Sequence, residues 1–295
     1  MEENKKQTAV ALGYFDGLHI AHRQVLEAAK TGAAERDLTP GVLLFDRPPA
    51  EVVRGVQVRR LMTDEDRDDA LKTMGFTLMR ISFAAIRDLS PEDFVTKLLR
   101  DTFAAKLVAC GYNYRFGRSG AGNAETLRRL GEGCGIETVV VGEQDLSGAP
   151  VSSSRIRALI EDGKMAEANA LLGRPLSFCS PVFDGDHRGR LLGSPTINQF
   201  LPEGFIVPKF GVYVSEVELA DGVHRAVTNI GARPTFDGKS VRSETFILGF
   251  SGDLYGQTVR VRLLSFLRPE MKFPSVEALK ARIAIDAENA VRYSE

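Results

Sequence analysis

The chain has 295 residues, 43% hydrophobic and 26% charged, with 28 glycines and 13 prolines, which excludes disordered, fibrous and collagen-like chains. Its formal net charge of -1 offers no broad field for nucleic acid or an anionic membrane, and its length favours two domains of unequal size. The three cysteines, Cys110, Cys134 and Cys179, are widely spaced and form no CxxC pair, so a reducing compartment is expected and not a disulfide framework.

The polar start MEENKKQ runs directly into the strand-like TAVALGYF, and no apolar segment is long enough for a signal peptide or membrane span, so a cytoplasmic protein is expected. From Thr8 to about Val141, apolar runs (VALGYF, GVLLF, FTLMRISF, KLVACGY, ETVVVG) alternate with amphipathic stretches (HRQVLEAAKTGAAE, DEDRDDALKTM, PEDFVTKLLRD, AETLRRLGE). That alternation predicts an α/β domain, a parallel sheet covered by helices on both faces. Between Ser152 and Gly173 a hydroxyl-rich cap opens a helix, Gly163 interrupts it and a second helix follows.

Beyond Arg174-Pro175 the runs FGVYVSEVEL, RAVTNIG, SETFILGF and TVRVRLLSFL are rich in Val, Thr, Phe and Tyr and predict a small antiparallel β-barrel or sandwich. The last segment has a serine cap and an apolar stripe at Val276, Leu279, Ile283 and Ala290, the signature of a terminal helix packed on the strands. The expected domains are residues 1–175 and 176–295.

The first strand leads into Gly13-Tyr14-Phe15-Asp16-Gly17-Leu18-His19-Ile20-Ala21-His22 and then a helix. Ligands of open α/β sheets bind at the carboxyl ends of strands, and a helix start presents unpaired N–H groups to phosphate. His19 and His22 could there stabilise charge developing on an α-phosphate; an isolated HxxH is more often a pair of surface or capping histidines. A zinc site is not expected, because no further ligand lies at suitable spacing.

The whole string resembles the GxFDGxHxGH signature of nucleotidyltransferases, specifically the FMN adenylyltransferase module of bacterial bifunctional riboflavin kinase/FAD synthetases. Cys110-Gly111-Tyr112-Asn113-Tyr114-Arg115-Phe116-Gly117 is similar to that family's GxNFxFG loop, Ser152-Ser153-Ser154-Arg155-Ile156-Arg157 to its SSTRIR, and AEANALLGRP to the stretch leading into its kinase module. The resemblance implies a Rossmann-like domain in which Gly13, Phe15, Asp16, Gly17, Ser153, Arg155 and Arg157 meet ATP, and Asn113 and Arg115 meet flavin. Two positions depart from the pattern: Ala21 replaces a glycine, and Phe45-Asp46-Arg47-Pro48-Pro49-Ala50-Glu51 replaces FxPHPxE, with Arg47 and Pro48 where the family has Pro and His.

In the second half, Asp184-Gly185-Asp186-His187-Arg188-Gly189-Arg190-Leu191-Leu192-Gly193-Ser194-Pro195-Thr196-Ile197-Asn198 joins a glycine-rich turn to a Pro-Thr-x-Asn corner. Glycines allow a loop to close over phosphates, and a threonine hydroxyl and an asparagine carbonyl suit Mg²⁺. The string resembles the riboflavin kinase signature GxxRGRxLGxPTAN, and the resemblance continues through AVTNIGARPTF, Ser243-Glu244-Thr245 and FLRPEMKF. It implies Gly185, Gly189 and Arg190 on ATP phosphates, Thr196 and Asn198 on Mg-ATP, Glu244 as catalytic base, and Arg268 on the flavin side. Tyr213, Phe236 and Phe250 are further flavin-side candidates, although strand aromatics are more often core. There is no Walker A string.

The expected function is ATP-dependent phosphorylation of riboflavin to FMN and adenylylation of FMN to FAD. The expected partners are the small molecules riboflavin, FMN and ATP with Mg²⁺, without nucleic acid or membrane, in a monomer or weak homo-oligomer. Two alternatives stand beside this: a riboflavin kinase whose adenylyltransferase half is weakened or lost, motivated by Ala21 and Arg47-Pro48, and a non-catalytic flavin sensor.

Overall fold

The computed structural model of the chain describes residues 6–184, 196–235 and 238–294. It divides into two compact units, Met1–Val58 with Asp64–Ser153, and Arg59–Thr63 with Ser154–Glu295.

The first unit is built on five parallel strands: β1 (Thr8–Leu12), β2 (Thr39–Phe45), β3 (Thr77–Ile81), β4 (Ala105–Gly111) and β5 (Glu137–Val141). Their spatial order is β3-β2-β1-β4-β5. Every residue of β1 is buried, as expected of a central parallel strand covered on both faces, and this is why TAVAL reads as a continuous apolar run. The longer helices are α1 (Ile20–Glu35), α2 (Asp64–Thr73), α3 (Phe94–Thr102, wound as a π-helix) and α4 (Ala124–Glu132). Asn123 caps α4 by accepting from the backbone and hydroxyl of Thr126. Leu99 of α3 and Leu127 of α4 join Val10, Leu43 and Val108 of the sheet in one core, each such side chain contributing roughly 1.5–3 kcal/mol by burial.

The order reverses between β1 and β4: the connections from β1 run to β2 and β3 on one side, and then return to β4 on the other. That reversal opens a crevice at the carboxyl ends of β1 and β4, the place where open α/β sheets take ligands.

The second unit begins with α5 (Ser153–Glu161), which starts at the last residue of the first unit, and α6 (Met165–Leu172). Six strands follow: β6 (Leu176–Pro181), β7 (Thr196–Phe200), β8 (Gly211–Leu219), β9 (Gly222–Thr235), β10 (Gly238–Ile247) and β11 (Thr258–Arg268). They form one antiparallel sheet in the order β6-β11-β8-β9-β10-β7. The sheet curls until its edges meet: Phe183, just past β6, bridges Asn198 of β7.

Gln199 completes the closure. Its side chain is fully buried, and Nε2 donates to the carbonyls of Ser180 (2.6 Å) and Val259 (2.8 Å), linking the edge strand β7 to β6 and β11. Gln199→Ala removes both bonds and strands buried acceptors, so a loss of about 2 kcal/mol is expected. Urea denaturation checks it, as a lowered midpoint at unchanged slope.

Inside the sheet, the hydroxyls of Ser215, Thr228 and Thr245 bond in a row, at 2.7 and 2.9 Å. The terminal helix α7 (Val276–Arg292), capped by Ser275, covers the other face, where Ala290 packs with Val212, Val214, Val227 and Leu264. Its buried stripe departs from the expected one: Val276 is exposed, while Asp286 is buried. A carboxylate can take that position because the guanidinium groups of Arg268 (2.8 Å) and Arg282 (3.1 Å) neutralise it.

All three cysteines are free thiols. Cys110 lies inside β4, where burial pushes its pKa up to about 11.

Candidate active sites

A cavity of about 450 Å³ occupies the crevice of the first unit, within the range of small-molecule sites. Its walls come from the ends of β1 (Leu12, Gly13), β2 (Phe45), β4 (Gly111 to Asn113) and β5 (Val141, Gly142), and from the start of α1. The chain enters α1 through a strained turn: Phe15 and Leu18 hold positive φ angles of 56° and 46°, unusual for residues with side chains. A side chain at Gly13 would be crowded, because a Cβ there would stand 3.1 Å from the Phe15 ring.

His19 and His22 both line this cavity. His19 is buried and is the N-cap of α1, its Nδ1 accepting from the backbone N–H of His22 at 3.2 Å. The ring proton of neutral His19 therefore sits on Nε2. His19 is thus a capping histidine whose side chain also lines the cavity.

The two imidazoles stack nearly parallel, centroids 3.6 Å apart, and Phe15 meets His22 edge-on at 5.3 Å. Burial, then the neighbouring His19, holds the His22 pKa well below its ordinary value of 6.5. His22 is neutral at pH 7, and its buried Nδ1 has no partner among the described residues.

Other expected residues gather here. Asn113, Arg115 and Ser153 line the same cavity, and the Ser153 hydroxyl donates to the carbonyl of Asp16 at 3.2 Å, tying the start of α5 to the turn. Asp16 and Gly17 are buried within that turn and are not wall residues. Arg155 and Arg157 follow on α5, where Arg157 Nε donates to the carbonyl of Arg59 at 2.6 Å.

The two departures from the family pattern have local explanations. Ala21 lies in the first turn of α1 and does not adopt a positive φ, so its only consequence is one methyl group on the cavity wall. Arg47 is exposed and faces Glu51 at 3.8 Å, while Pro48 precedes the short helix Pro49–Arg54, whose Pro49 reaches the cavity.

The aromatic wall was not anticipated. Phe45 packs edge-on against Phe83 (5.2 Å), Phe94 lies tilted on Phe116 (4.9 Å), and Tyr114 stacks with Phe116 (6.0 Å). Asp46 Oδ1 accepts from the Phe83 backbone at 3.0 Å, which holds Phe83 over the end of β2.

In the second unit, strand register brings separated residues together. Asn198 of β7 is paired directly with Glu244 of β10, and Glu244 with Asn229 of β9; residues in such a row share a face. Thr196 lies two residues from Asn198 and so on that face too. Ser243 and Thr245, flanking Glu244, point the other way and are buried, which leaves Glu244 half-buried on the second face. A further carboxylate stands close by: Glu270 Oε1 lies 2.4 Å from where a Cβ on Gly231 would be.

Arg268 directs Nε and Nη2 to Asp286 and Nη1 to the carbonyl of Pro269. Tyr213 is fully buried, and its hydroxyl donates to the Lys209 carbonyl at 2.5 Å; Phe250 packs edge-on against His224. Gly185, Gly189, Arg190 and Phe236 lie outside the described residues. Among the described residues no group of three or more His, Cys, Asp or Glu could hold a metal ion by itself, so the zinc-type arrangement is absent there.

Residues 1–155 match the FAD synthetase family and residues 172–294 the riboflavin kinase family. A bifunctional riboflavin kinase/FMN adenylyltransferase of Listeria monocytogenes is 34% identical over 285 residues, covering 95% of this chain and 90% of that protein. One from Bacillus subtilis is 32% identical over 302 residues, covering 99% and 94%. A crystal structure from Streptococcus pneumoniae, described as a macrolide-efflux protein, matches with a TM-score of 0.89 at 32% identity, over 98% of this chain and 95% of that one. No helix among the described residues here is long and apolar enough to cross a membrane.

Proposed function

The chain belongs to the bifunctional riboflavin kinase/FMN adenylyltransferase family, and from that membership we propose how its residues divide the two reactions. The enzyme phosphorylates riboflavin to FMN and adenylylates FMN to FAD, with ATP as the donor in both steps. The residues of the first unit, together with Arg155 and Arg157 of the motif that follows it, serve the second reaction, and the remaining residues of the second unit the first.

For adenylylation, the carrying observation is the cavity at the β1/β4 crevice, which holds two stacked histidines at a helix start on an aromatic-walled site. An oxygen of the FMN phosphate attacks the α-phosphorus of ATP, the new P–O bond forms, the bond to the bridging oxygen breaks, and pyrophosphate leaves. His19 and His22, with the N–H groups at the start of α1, donate to the charge that develops on the α-phosphate. Gly13, Phe15, Asp16 and Gly17 shape the turn that presents them, Ser153 anchors its far side, and Arg155 and Arg157 keep the role the motif implies, donors to ATP phosphates. Asn113 and Arg115 face the flavin.

For phosphorylation, Glu244 accepts the proton of the ribityl 5′-hydroxyl as that oxygen attacks the γ-phosphorus and ADP leaves. Thr196 and Asn198 supply hard oxygen donors on the face of Glu244. They fit Mg²⁺, which is held by few protein ligands and by the phosphates of the nucleotide it accompanies. Gly185, Gly189 and Arg190 keep the role that the motif implies, contacts to those phosphates. Arg268, held by Asp286, acts on the flavin side through the segment it fixes.

A kinase with a failed adenylyltransferase half is not favoured, because Ala21 costs one methyl and Arg47-Pro48 leaves the aromatic wall in place. The test is chromatographic product analysis of the purified protein with riboflavin, excess ATP and Mg²⁺. FMN followed by FAD is expected; accumulation that ends at FMN would overturn the adenylylation assignment, and unchanged riboflavin the kinase assignment.

A further inference from the structure

The lining of the first unit's cavity combines two chemically different sets. One is His19 and His22 at the start of α1 with Ser153 at the start of α5; the other is Phe45, Phe83, Phe94, Tyr114 and Phe116. Phosphate belongs at the first, where N–H groups and imidazoles donate. A flat aromatic system belongs at the second, and the isoalloxazine ring of FMN presents such a face together with an edge of carbonyl oxygens and ring nitrogens that accept hydrogen bonds.

Of these five aromatics Tyr114 alone carries a hydroxyl, in the position where the GxNFxFG pattern has phenylalanine. Its ring stacks with Phe116 at 15°, and its hydroxyl makes no hydrogen bond to any described residue. A phenol in such surroundings ordinarily finds a partner, and Tyr114 lines the cavity. Burial, and then the neighbouring Cys110, pushes its pKa far up, so the group remains a protonated donor across the neutral range.

We propose that Tyr114 is a specificity-determining residue for the flavin substrate of adenylylation, its hydroxyl donating a hydrogen bond to the heteroatom edge of the FMN ring while its own ring stays stacked on Phe116. The inference rests on the adenylyltransferase reading given above. It assigns the hydroxyl to FMN and not to ATP.

The test is Tyr114→Phe, which keeps the ring and its stacking and removes only the oxygen. Losing one net hydrogen bond should raise the KM for FMN in FAD formation about 3- to 10-fold. The KM for ATP and the formation of FMN from riboflavin in the same protein should not change. Because the free enzyme loses an unpartnered polar group, its thermal midpoint should stay level or rise, which separates this role from a structural one. An unchanged KM for FMN, or an increase confined to ATP, overturns the proposal. Should the wild-type protein make no FAD, quenching of FMN fluorescence decides the matter independently: weaker binding by the variant supports the assignment to FMN, and equal binding sinks it.

Discussion

Replacing Glu244 by alanine is expected to lower riboflavin phosphorylation about 10²- to 10⁴-fold, the usual contribution of a positioned general base, while FMN supplied from outside is still converted to FAD. Glu244 is half-buried and lies on the sheet face opposite the buried Ser243 and Thr245, so its truncation removes no core contact of the size that Leu or Phe would lose. Its neighbours in the row, Asn198 and Asn229, carry no charge and cannot take over as proton acceptors. Glu244→Gln, which keeps shape and hydrogen bonding, should be nearly as impaired as the alanine variant if proton acceptance is the function. Steady-state rates of FMN formation, with FAD formation from added FMN as the internal control, check both variants. Loss of both activities together would point to misfolding and not to chemistry.

The same row of residues explains how far the sequence could be read. The strands rich in Val, Ile, Thr and aromatics, β1 to β5 and β8 to β11, follow the alternation and runs that their burial demands. The two edge strands do not. LSFCSP and TINQF mix polar and apolar residues, and what makes them strands is their partners: β6 lies along β11, β7 along β10, and the buried Gln199 amide joins the edges. No local pattern carries that information, because a single glutamine reads as a surface residue until its two acceptors are in place. Asp286 shows the same limit from the other side. An apolar stripe predicts which helix face is buried, and a carboxylate breaks the stripe, yet Arg268 and Arg282 make its burial tolerable. The expectation that Arg268 faces flavin came from its motif, whereas the guanidinium is directed to Asp286, a pairing visible only after the helix is folded back on the sheet.

For the cavity, the turn that carries the histidines was legible and the aromatic wall was not. Gly13, His19 and His22 come from one turn, so a single motif marks them. Phe45, Phe83, Phe94 and Phe116 come from four separate segments, each of which looks like ordinary core. Convergence at a strand-order reversal assembles them, and that reversal is a property of topology that no single segment encodes.

His22→Ala is expected to reduce FAD formation about 10²- to 10³-fold, the typical effect of deleting one preorganised donor to developing charge, with riboflavin phosphorylation unaffected. The electrostatic setting adds a pH signature. Because burial and His19 hold the His22 pKa well below 6.5, the folded protein resists a proton that the unfolded chain accepts. Its contribution to stability is complete above pH 6.5 and is lost as pH falls from 6.5 towards the lowered value, since there the unfolded state binds more protons. His22→Ala should therefore flatten the dependence of stability on pH across that window, read from denaturation midpoints at successive pH values. For the same reason, the wild-type rate of FAD formation should show no inflection from His22 at 6.5, where an ordinary histidine would titrate. An inflection there that vanishes in His22→Ala would mean that His22 is solvated and cationic when it acts. The two stacked imidazoles would then need an anion between or beside them to be held so close in the free enzyme.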